Sequence, residues 1–217
     1  MKQSDIQLTA DGSHTLFVPE IDEHYHSVNG AIQESLHVFI RAGLQQAPKA
    51  ELRVLEIGFG TGLNALLTLL YADIPVTYYT VELHPLPLDV IRRLNYADIL
   101  CPGQEDLFLS LHTAAWDTPV QIGSLFTLHK IRGDGNTCAL PGEAGLVYFD
   151  AFAPGKQPGM WNPGIFRRLH EAMAGGGILV TYCAKGSVRR MMQEAGYSVE
   201  RIPGPPGKRE MLRATKP

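Results

Sequence analysis

One short segment restricts this chain more than any other. Arg53-Val54-Leu55-Glu56-Ile57 is apolar enough for a short buried strand, and it runs straight into Gly58-Phe59-Gly60-Thr61-Gly62. A stretch of helical character, Leu63 to Tyr71, follows at once. A strand that turns sharply through glycines into a helix opens a βα unit. Lacking a Cβ, Gly58 and Gly60 let the turn tighten and let a ligand approach the backbone, and Gly62 lets the helix begin close to the sheet. Free N–H groups at that helix start favour an anion. The spacing is G-x-G-x-G, with Leu63 next. It is therefore not the dinucleotide pattern G-x-G-x-x-G, and no G-x-x-x-x-G-K-[ST] phosphate loop occurs.

The pattern then repeats. Val76 to Val81 reads as a strand ending at Glu82, Pro87 to Asn95 and Gln104 to Ala115 as helices, and Phe126 to Ile131 as a third strand. Leu146 to Phe149 is a fourth, ending at Asp150. A helix over Pro163 to Ala174 leads through Gly175-Gly176-Gly177 into the strand Ile178 to Tyr182, and Val188 to Ala195 is helical. The closing strands Tyr197 to Ile202 and Glu210 to Ala214 are joined by Pro203-Gly204-Pro205-Pro206-Gly207, too short for a parallel crossover. These units predict an α/β fold of the Rossmann-like class I methyltransferase type: a mainly parallel seven-stranded sheet, covered on both faces and ending in an antiparallel hairpin. Ahead of it, Ile6 to Thr9 and His14 to Val18 flank Asp11-Gly12 as a β-hairpin, and Ile32, Leu36, Phe39, Ile40 and Leu44 fall at helical spacing. Residues 1–48 are expected to form this N-terminal hairpin/helix appendage and residues 49–217 the catalytic domain.

Composition excludes several classes. The most apolar stretch, Ala65 to Ala72, is far short of the roughly 20 residues of a membrane span. The Met1-Lys2-Gln3-Ser4-Asp5 start carries no apolar leader. Cys101, Cys138 and Cys183 are odd in number and widely spaced, which suggests neither a disulfide framework nor a metal site, so a cytoplasmic protein without bound metal is expected. The net charge of −3 hides a division: residues 1–150 hold 8 Lys/Arg against 18 Asp/Glu, whereas residues 151–217 hold 11 against 4. Such asymmetry fits either a basic surface for a polyanion or ordinary solvated faces.

Ligands of open α/β sheets bind beyond the carboxyl ends of the strands, where strand order reverses. Glu82 lies 20 residues past Gly62 and could accept from both hydroxyls of a ribose; Asp134, after the third strand, could accept from an adenine amino group. Either acid alone also reads as a solvated turn residue. Together at successive strand ends they favour an adenosine-containing ligand, and the glycine spacing prefers S-adenosylmethionine to NAD. Asp150 opens the loop Asp150-Ala151-Phe152-Ala153-Pro154-Gly155-Lys156-Gln157-Pro158-Gly159-Met160-Trp161. Its carboxylate could orient an attacking amine and help remove its proton, making it the candidate catalytic residue. Phe152 and Trp161 read either as platforms for a splayed-out base or as packing anchors, and Lys156 as a phosphate contact or a solvated cation.

At this point the sequence resembles the tRNA methyltransferases that finish 5-methylaminomethyl-2-thiouridine at the wobble position, the MnmD type, a unit that also forms the amino-terminal half of bifunctional MnmC. The resemblance covers nearly the whole chain. It rests on GFGTGLN at Gly58 to Asn64, DAFAPGKQPGMW at Asp150 to Trp161, GSVRRMMQEAGY at Gly186 to Tyr197, GPPGKREML at Gly204 to Leu212, and a leading HYHSVNGAIQES at His24 to Ser35. It implies that the acceptor is the primary amine of 5-aminomethyl-(2-thio)uridine in tRNA. Gly58, Phe59, Gly60, Thr61, Gly62 and Asn64 would surround the methionine part of the donor, with Glu82 at its ribose, Asp134 near adenine and Asp150 at the reacting amine. Phe152, Lys156 and Trp161 would meet the substrate. Lys208 and Arg209, of the closing basic motif, and Arg189 and Arg190, on one predicted helix, would hold the anticodon arm, with Lys185 and Arg213 beside them. No second glycine fingerprint follows, so FAD chemistry is not expected, and separate enzymes would supply the aminomethyl precursor. A methyltransferase acting on a small-molecule amine, a non-catalytic RNA-binding module retaining the fold, and an aminopropyltransferase-like enzyme are the alternatives.

Overall fold

The computed structural model describes residues 5–48 and 51–217. The expected boundary at 48/49 thus falls against residues 49 and 50, which lie outside the described residues, as do Met1 to Ser4 of the expected leaderless start.

Strands β1 (Asp5–Leu8), β2 (His14–Val18) and β3 (Glu23–His24) form a small antiparallel sheet. The first two make the expected hairpin, with Leu8 opposite His14, and the two-residue β3 is an addition to it. Helix α1 (Ala31–Ser35) continues into a π-helical turn, Leu36–Arg41, along the predicted apolar face.

The main body follows as β4 (Leu52–Ile57), α2 (Leu63–Tyr71), β5 (Val76–Glu82), α3 (Leu88–Ile91), α4 (Tyr96–Leu100), α5 (Glu105–Thr113), β6 (Pro119–Gly123) and β7 (Phe126–Arg132). It is completed by β8 (Ala144–Phe149), α6 (Pro163–Ala172), β9 (Met173–Thr181), α7 (Gly186–Glu194), β10 (Ser198–Pro203) and β11 (Glu210–Thr215). The sheet runs β10-β11-β9-β8-β4-β5-β7-β6. Strands β7, β5, β4, β8 and β9 are parallel to one another, and β11 and β10 close one edge as the antiparallel hairpin. This is the Rossmann-like class I order, and it reverses between β4 and β8. Alternate residues face opposite sides: Val54, Leu146 and Tyr148 join the core beneath α2 and α5, while Leu55, Val147 and Phe149 join the core beneath α6 and α7. Burial on both faces is why the central strands read as apolar runs rather than alternating ones.

Three sequence expectations need correction. The sheet has eight strands, not seven: β6 pairs antiparallel with β7 at the outer edge. It begins at Pro119 and has no fully buried residue, as befits an edge strand, where a proline costs no ladder bond. The helix expected over Pro87 to Asn95 is only the short α3, and α4 follows as a separate helix capped by Asn95. Asn95 leaves helical geometry because its amide serves the appendage, accepting from His14 N–H at 2.8 Å and donating to the Gly12 carbonyl at 2.9 Å. Lastly, α6 ends at Ala172 and β9 already includes Gly175 to Gly177, with a register shift against β8 there. Gly176 takes φ +77°, which a glycine adopts without strain.

Candidate functional site

The ends of β4, β5, β7 and β8 open into a cleft of about 1030 Å³, walled on the other side by the appendage. Its floor is the glycine turn. Gly58 has φ +96°, and a Cβ there would stand 2.8 Å from the Asp150 carbonyl, so β4 and β8 can converge only on glycine. The turn is held from both sides. His26, from the appendage, shares a 2.7 Å hydrogen bond with Thr61 Oγ1, and His112, from α5, donates through Nε2 to the Thr61 carbonyl at 3.2 Å. Burial lowers the two imidazoles to about 4 and about 3, so both are neutral at physiological pH. Lys130, fully buried on β7, in turn donates to the His112 carbonyl at 2.6 Å and lies 4.6 Å from the Trp116 ring centroid.

Glu82 bridges the mouth of the turn. One carboxylate oxygen accepts from Gly60 N–H at 3.0 Å and the other from His84 N–H at 2.7 Å, which leaves a lone pair on each for hydroxyl donors. Asp134 also lines the cleft, but its Oδ1 accepts from the Asn136 backbone N–H at 2.8 Å and caps a tight turn.

Asp150 stands at the centre, half-buried where β8 ends. Asn64 Nδ2 donates to its Oδ2 at 2.8 Å and to Glu56 Oε1 at 3.2 Å, one amide group spanning two carboxyls. Glu56 is fully buried beneath and accepts from Thr80 Oγ1 at 2.7 Å. Burial pushes the Asp150 carboxyl up to about 7 and that of Glu56 to about 8; Asn64 and Thr80 only partly oppose this. Asn64 Oδ1 is buried without a hydrogen-bond partner, an acceptor waiting for a donor group.

Of the residues singled out from the sequence, Gly58, Phe59, Gly60, Thr61, Asn64, Glu82, Asp134, Asp150, Phe152, Lys156 and Lys208 line the cleft. Gly62 lies just behind it, against His112. Trp161 does not face the cleft: it is 6 % exposed, packs on Phe149 and donates from Nε1 to the Phe152 carbonyl at 2.7 Å. A large ring in the body of this loop is more useful underneath, fixing it, than as a stacking surface. Phe152 keeps its place in the cleft, edge-on to Tyr25 at 4.9 Å. Lys156 pairs with Asp22 of the appendage at 3.2 Å. Arg190 and Arg209 are exposed and Arg189 is half-buried, all outside the cleft, while Arg213 is paired to Glu200 at 2.7 Å. Sequence reasoning assigned no role to Tyr25, His26, Glu34, Glu56 or Tyr182. The first three sit in the leading HYHSVNGAIQES segment, whose family likeness was the one signal pointing to them.

Comparisons with known proteins bear on the fold and the kind of protein this chain resembles. Residues 125–217 match a family described as S-adenosyl-L-methionine-dependent methyltransferase. The chain is 35 % identical over 232 residues to the tRNA 5-methylaminomethyl-2-thiouridine biosynthesis bifunctional protein MnmC of Ralstonia nicotianae, covering 97 % of this chain and 34 % of that protein. For the Pseudomonas aeruginosa (strain UCBPP-PA14) protein of the same name the identity is 33 %, covering 88 % and 32 %. The chain thus spans about a third of the length of these curated relatives. Among solved structures, MNMC2 from Aquifex aeolicus superposes with a TM-score of 0.77 at 26 % identity, over 99 % of this chain and 71 % of that one. A spermidine synthase with a bound transition-state analogue superposes at 0.59 and 11 % identity, over 99 % of this chain and 73 % of that one, a likeness of fold alone.

Proposed function

We propose that this chain, which resembles the MnmC tRNA-modifying proteins over nearly all its residues, is an S-adenosylmethionine-dependent methyltransferase acting on the primary amine of 5-aminomethyl-(2-thio)uridine at the tRNA wobble position. The observation that carries the reading is the 2.8 Å bond from Asn64 to Asp150. It ties the donor turn to a carboxyl that opens toward the appendage side of the cleft, where an acceptor would enter.

The residues present fit the donor. Gly58 and Gly60 leave the backbone bare, the unpartnered Asn64 Oδ1 can take an ammonium hydrogen, and Glu82 offers two oxygens to a ribose. S-adenosylmethionine, when bound, supplies an electrophilic methyl group. The acceptor nitrogen must meet it as a free amine, since an ammonium ion has no lone pair. With Oδ2 held by Asn64, Asp150 is left with Oδ1 to orient the amine and to take the proton it loses as the nitrogen–carbon bond forms. A carboxyl whose titration lies near neutrality suits that exchange. Phe152 and Tyr25 offer apolar ring surface beside it for a uracil base. The exposed Arg190 and Arg209 would meet phosphates of the anticodon arm. Separate enzymes would supply the aminomethyl precursor in the cytoplasm, and the transfer itself calls for neither FAD nor a metal.

The test is incubation with methyl-labelled donor and tRNA bearing 5-aminomethyl-2-thiouridine, followed by nucleoside analysis. Label in 5-methylaminomethyl-2-thiouridine is expected. Label found only in small-molecule amines, or none despite calorimetric binding of the donor, would overturn the reading.

A further inference from the structure

We propose that Lys208, paired with Glu34 at the rim of the cleft, is a positioning residue for the Asp150 loop and not a contact for the tRNA backbone. The inference rests on the reading of Asp150 as the group beside the acceptor. Three segments remote in sequence meet here. Lys208, in the loop between β10 and β11, places Nζ 2.7 Å from Glu34 Oε1 on α1. The same ammonium lies 4.0 Å from the ring centroid of Tyr182, just past β9. Tyr182 in turn donates its hydroxyl to the Ala151 carbonyl at 2.8 Å, next to Asp150. The chain Glu34–Lys208–Tyr182–Ala151 therefore runs from the appendage to the loop that carries the acceptor-side carboxyl.

The Glu34 carboxylate is committed to this arrangement. Its side chain is only 9 % exposed, and its second oxygen accepts from Ser27 N–H at 2.8 Å. Swinging Lys208 out to a phosphate would leave a nearly buried carboxylate without its counter-ion, a costly exchange. The loop itself has little room to move: Gly207 has φ +86°, and a Cβ there would meet Asn29 Nδ2 of the appendage at 2.1 Å.

After burial and the Asn64 hydrogen bond, the pair also contributes to the charge balance at Asp150. Facing that carboxyl are Glu34 from α1, Lys208 from the β10–β11 loop, Glu56 from β4, Tyr182 after β9 and the Asn64 amide from α2. Lys208 favours the charged form of Asp150 and Glu34 opposes it. A merely structural clasp would hold the loop without governing this balance. A phosphate contact would govern neither.

Two readouts separate these roles: the titration of the Asp150 carboxyl by carbon NMR in the protein without tRNA, and steady-state methylation of amine-bearing tRNA across salt and pH. Lys208→Met is expected to raise the Asp150 midpoint, since it removes a cation that favours the charged carboxylate. It should lower kcat near pH 7 severalfold while leaving the KM for tRNA and its salt dependence unchanged. Glu34→Gln should move the midpoint down, and Lys208→Arg, which keeps the charge, should hold it near its original place. If Lys208→Met does not fold, the other two variants carry the same titration. An unmoved midpoint, or a raised KM for tRNA with a flattened salt dependence and intact kcat, overturns the proposal. Failure of the unmodified protein to methylate amine-bearing tRNA would instead remove the functional reading, and the NMR titration would still decide whether Lys208 governs Asp150.

Discussion

At the proposed donor end of the cleft, the groups facing a ligand are mostly backbone and come from consecutive strand ends. At the acceptor end they are side chains gathered from four places: Tyr25 and Glu34 in the appendage, Phe152 after β8, Tyr182 after β9, and Lys208 between β10 and β11. The donor end is set mainly by the sheet, because the reversal between β4 and β8 leaves a crevice wherever this topology forms, and the appendage adds the His26 bond to Thr61. The acceptor end exists only when the appendage is docked. Asn95 and the Glu34–Lys208 pair, two of its dockings, lie far apart in sequence. The common half of the site is built from local geometry, and the half that would choose a substrate from tertiary contacts.

Asp150 belongs to both halves, so its loss should have the largest effect. Asp150→Ala is expected to reduce kcat by about 10²–10⁴-fold with donor affinity nearly unchanged, as read by single-turnover methylation and calorimetry. Full turnover in that variant would remove Asp150 from the chemistry. In the unmodified protein, kcat should rise with pH as the carboxyl, held up to about 7, loses its proton.

Glu56 tests the buried layer beneath. Burial raises its carboxyl to about 8 in the folded chain, whereas an unfolded chain titrates it near its ordinary value. Between about pH 4.5 and 8 the folded state therefore holds a proton that the unfolded state has released. That stabilisation is complete at the acid end and is lost as the pH rises through about 8. Asp150, with its midpoint near 7, acts in the same direction. Chemical denaturation should show stability falling over this window by an amount on the order of a few kcal/mol. Glu56→Gln, an isostere of the neutral acid that can still accept from Thr80, should make the slope shallower and leave the share that Asp150 contributes. A slope as steep in the variant as in the parent would mean that Glu56 is ionised in the fold.

The same contrast explains what could be read from the sequence. The βα alternation, the glycine turn, Glu82 and Asp150 were all legible because each is a local pattern: an apolar run, a turn, an acid at a strand end. Edge strand β6 was not, since its alternation is confined to Val120 and Ile122 within five residues opened by Pro119, too short a pattern to stand out from a loop. Glu34 and Tyr182 were illegible for another reason. A single acid on a short helix and a single tyrosine after a strand acquire meaning only when folding brings them to Lys208. Trp161 shows the opposite error, in which a residue with the right chemistry for stacking is spent on packing.

Gly58→Ala probes the donor end most directly. Its φ of +96° and the 2.8 Å approach to the Asp150 carbonyl forbid a methyl group without movement of β8. A strain of about 1–3 kcal/mol should weaken donor binding by roughly 10- to 100-fold in calorimetry and leave tRNA affinity in a filter-binding assay intact. Equal losses in both would mean that the two ends are mechanically one unit.

The smallest effect is expected at the basic surface outside the cleft, and it is the one that distinguishes Lys208 from its neighbours. Arg190 and Arg209 are exposed, so replacing them with glutamine disturbs no packing. If each meets one phosphate, losing both should weaken tRNA binding severalfold at low salt and reduce the slope of log affinity against log salt by about 1.4–1.8. Catalysis on bound tRNA should be unaffected, because neither side chain reaches the Asp150 loop. Lys208→Met should behave in the opposite way, with kcat reduced and the salt slope preserved. An unchanged slope in the double arginine variant would move the RNA surface to another face. It would leave the assignment of Lys208 where it stands, since that rests on a buried carboxylate and not on the charge of the carboxy-terminal third.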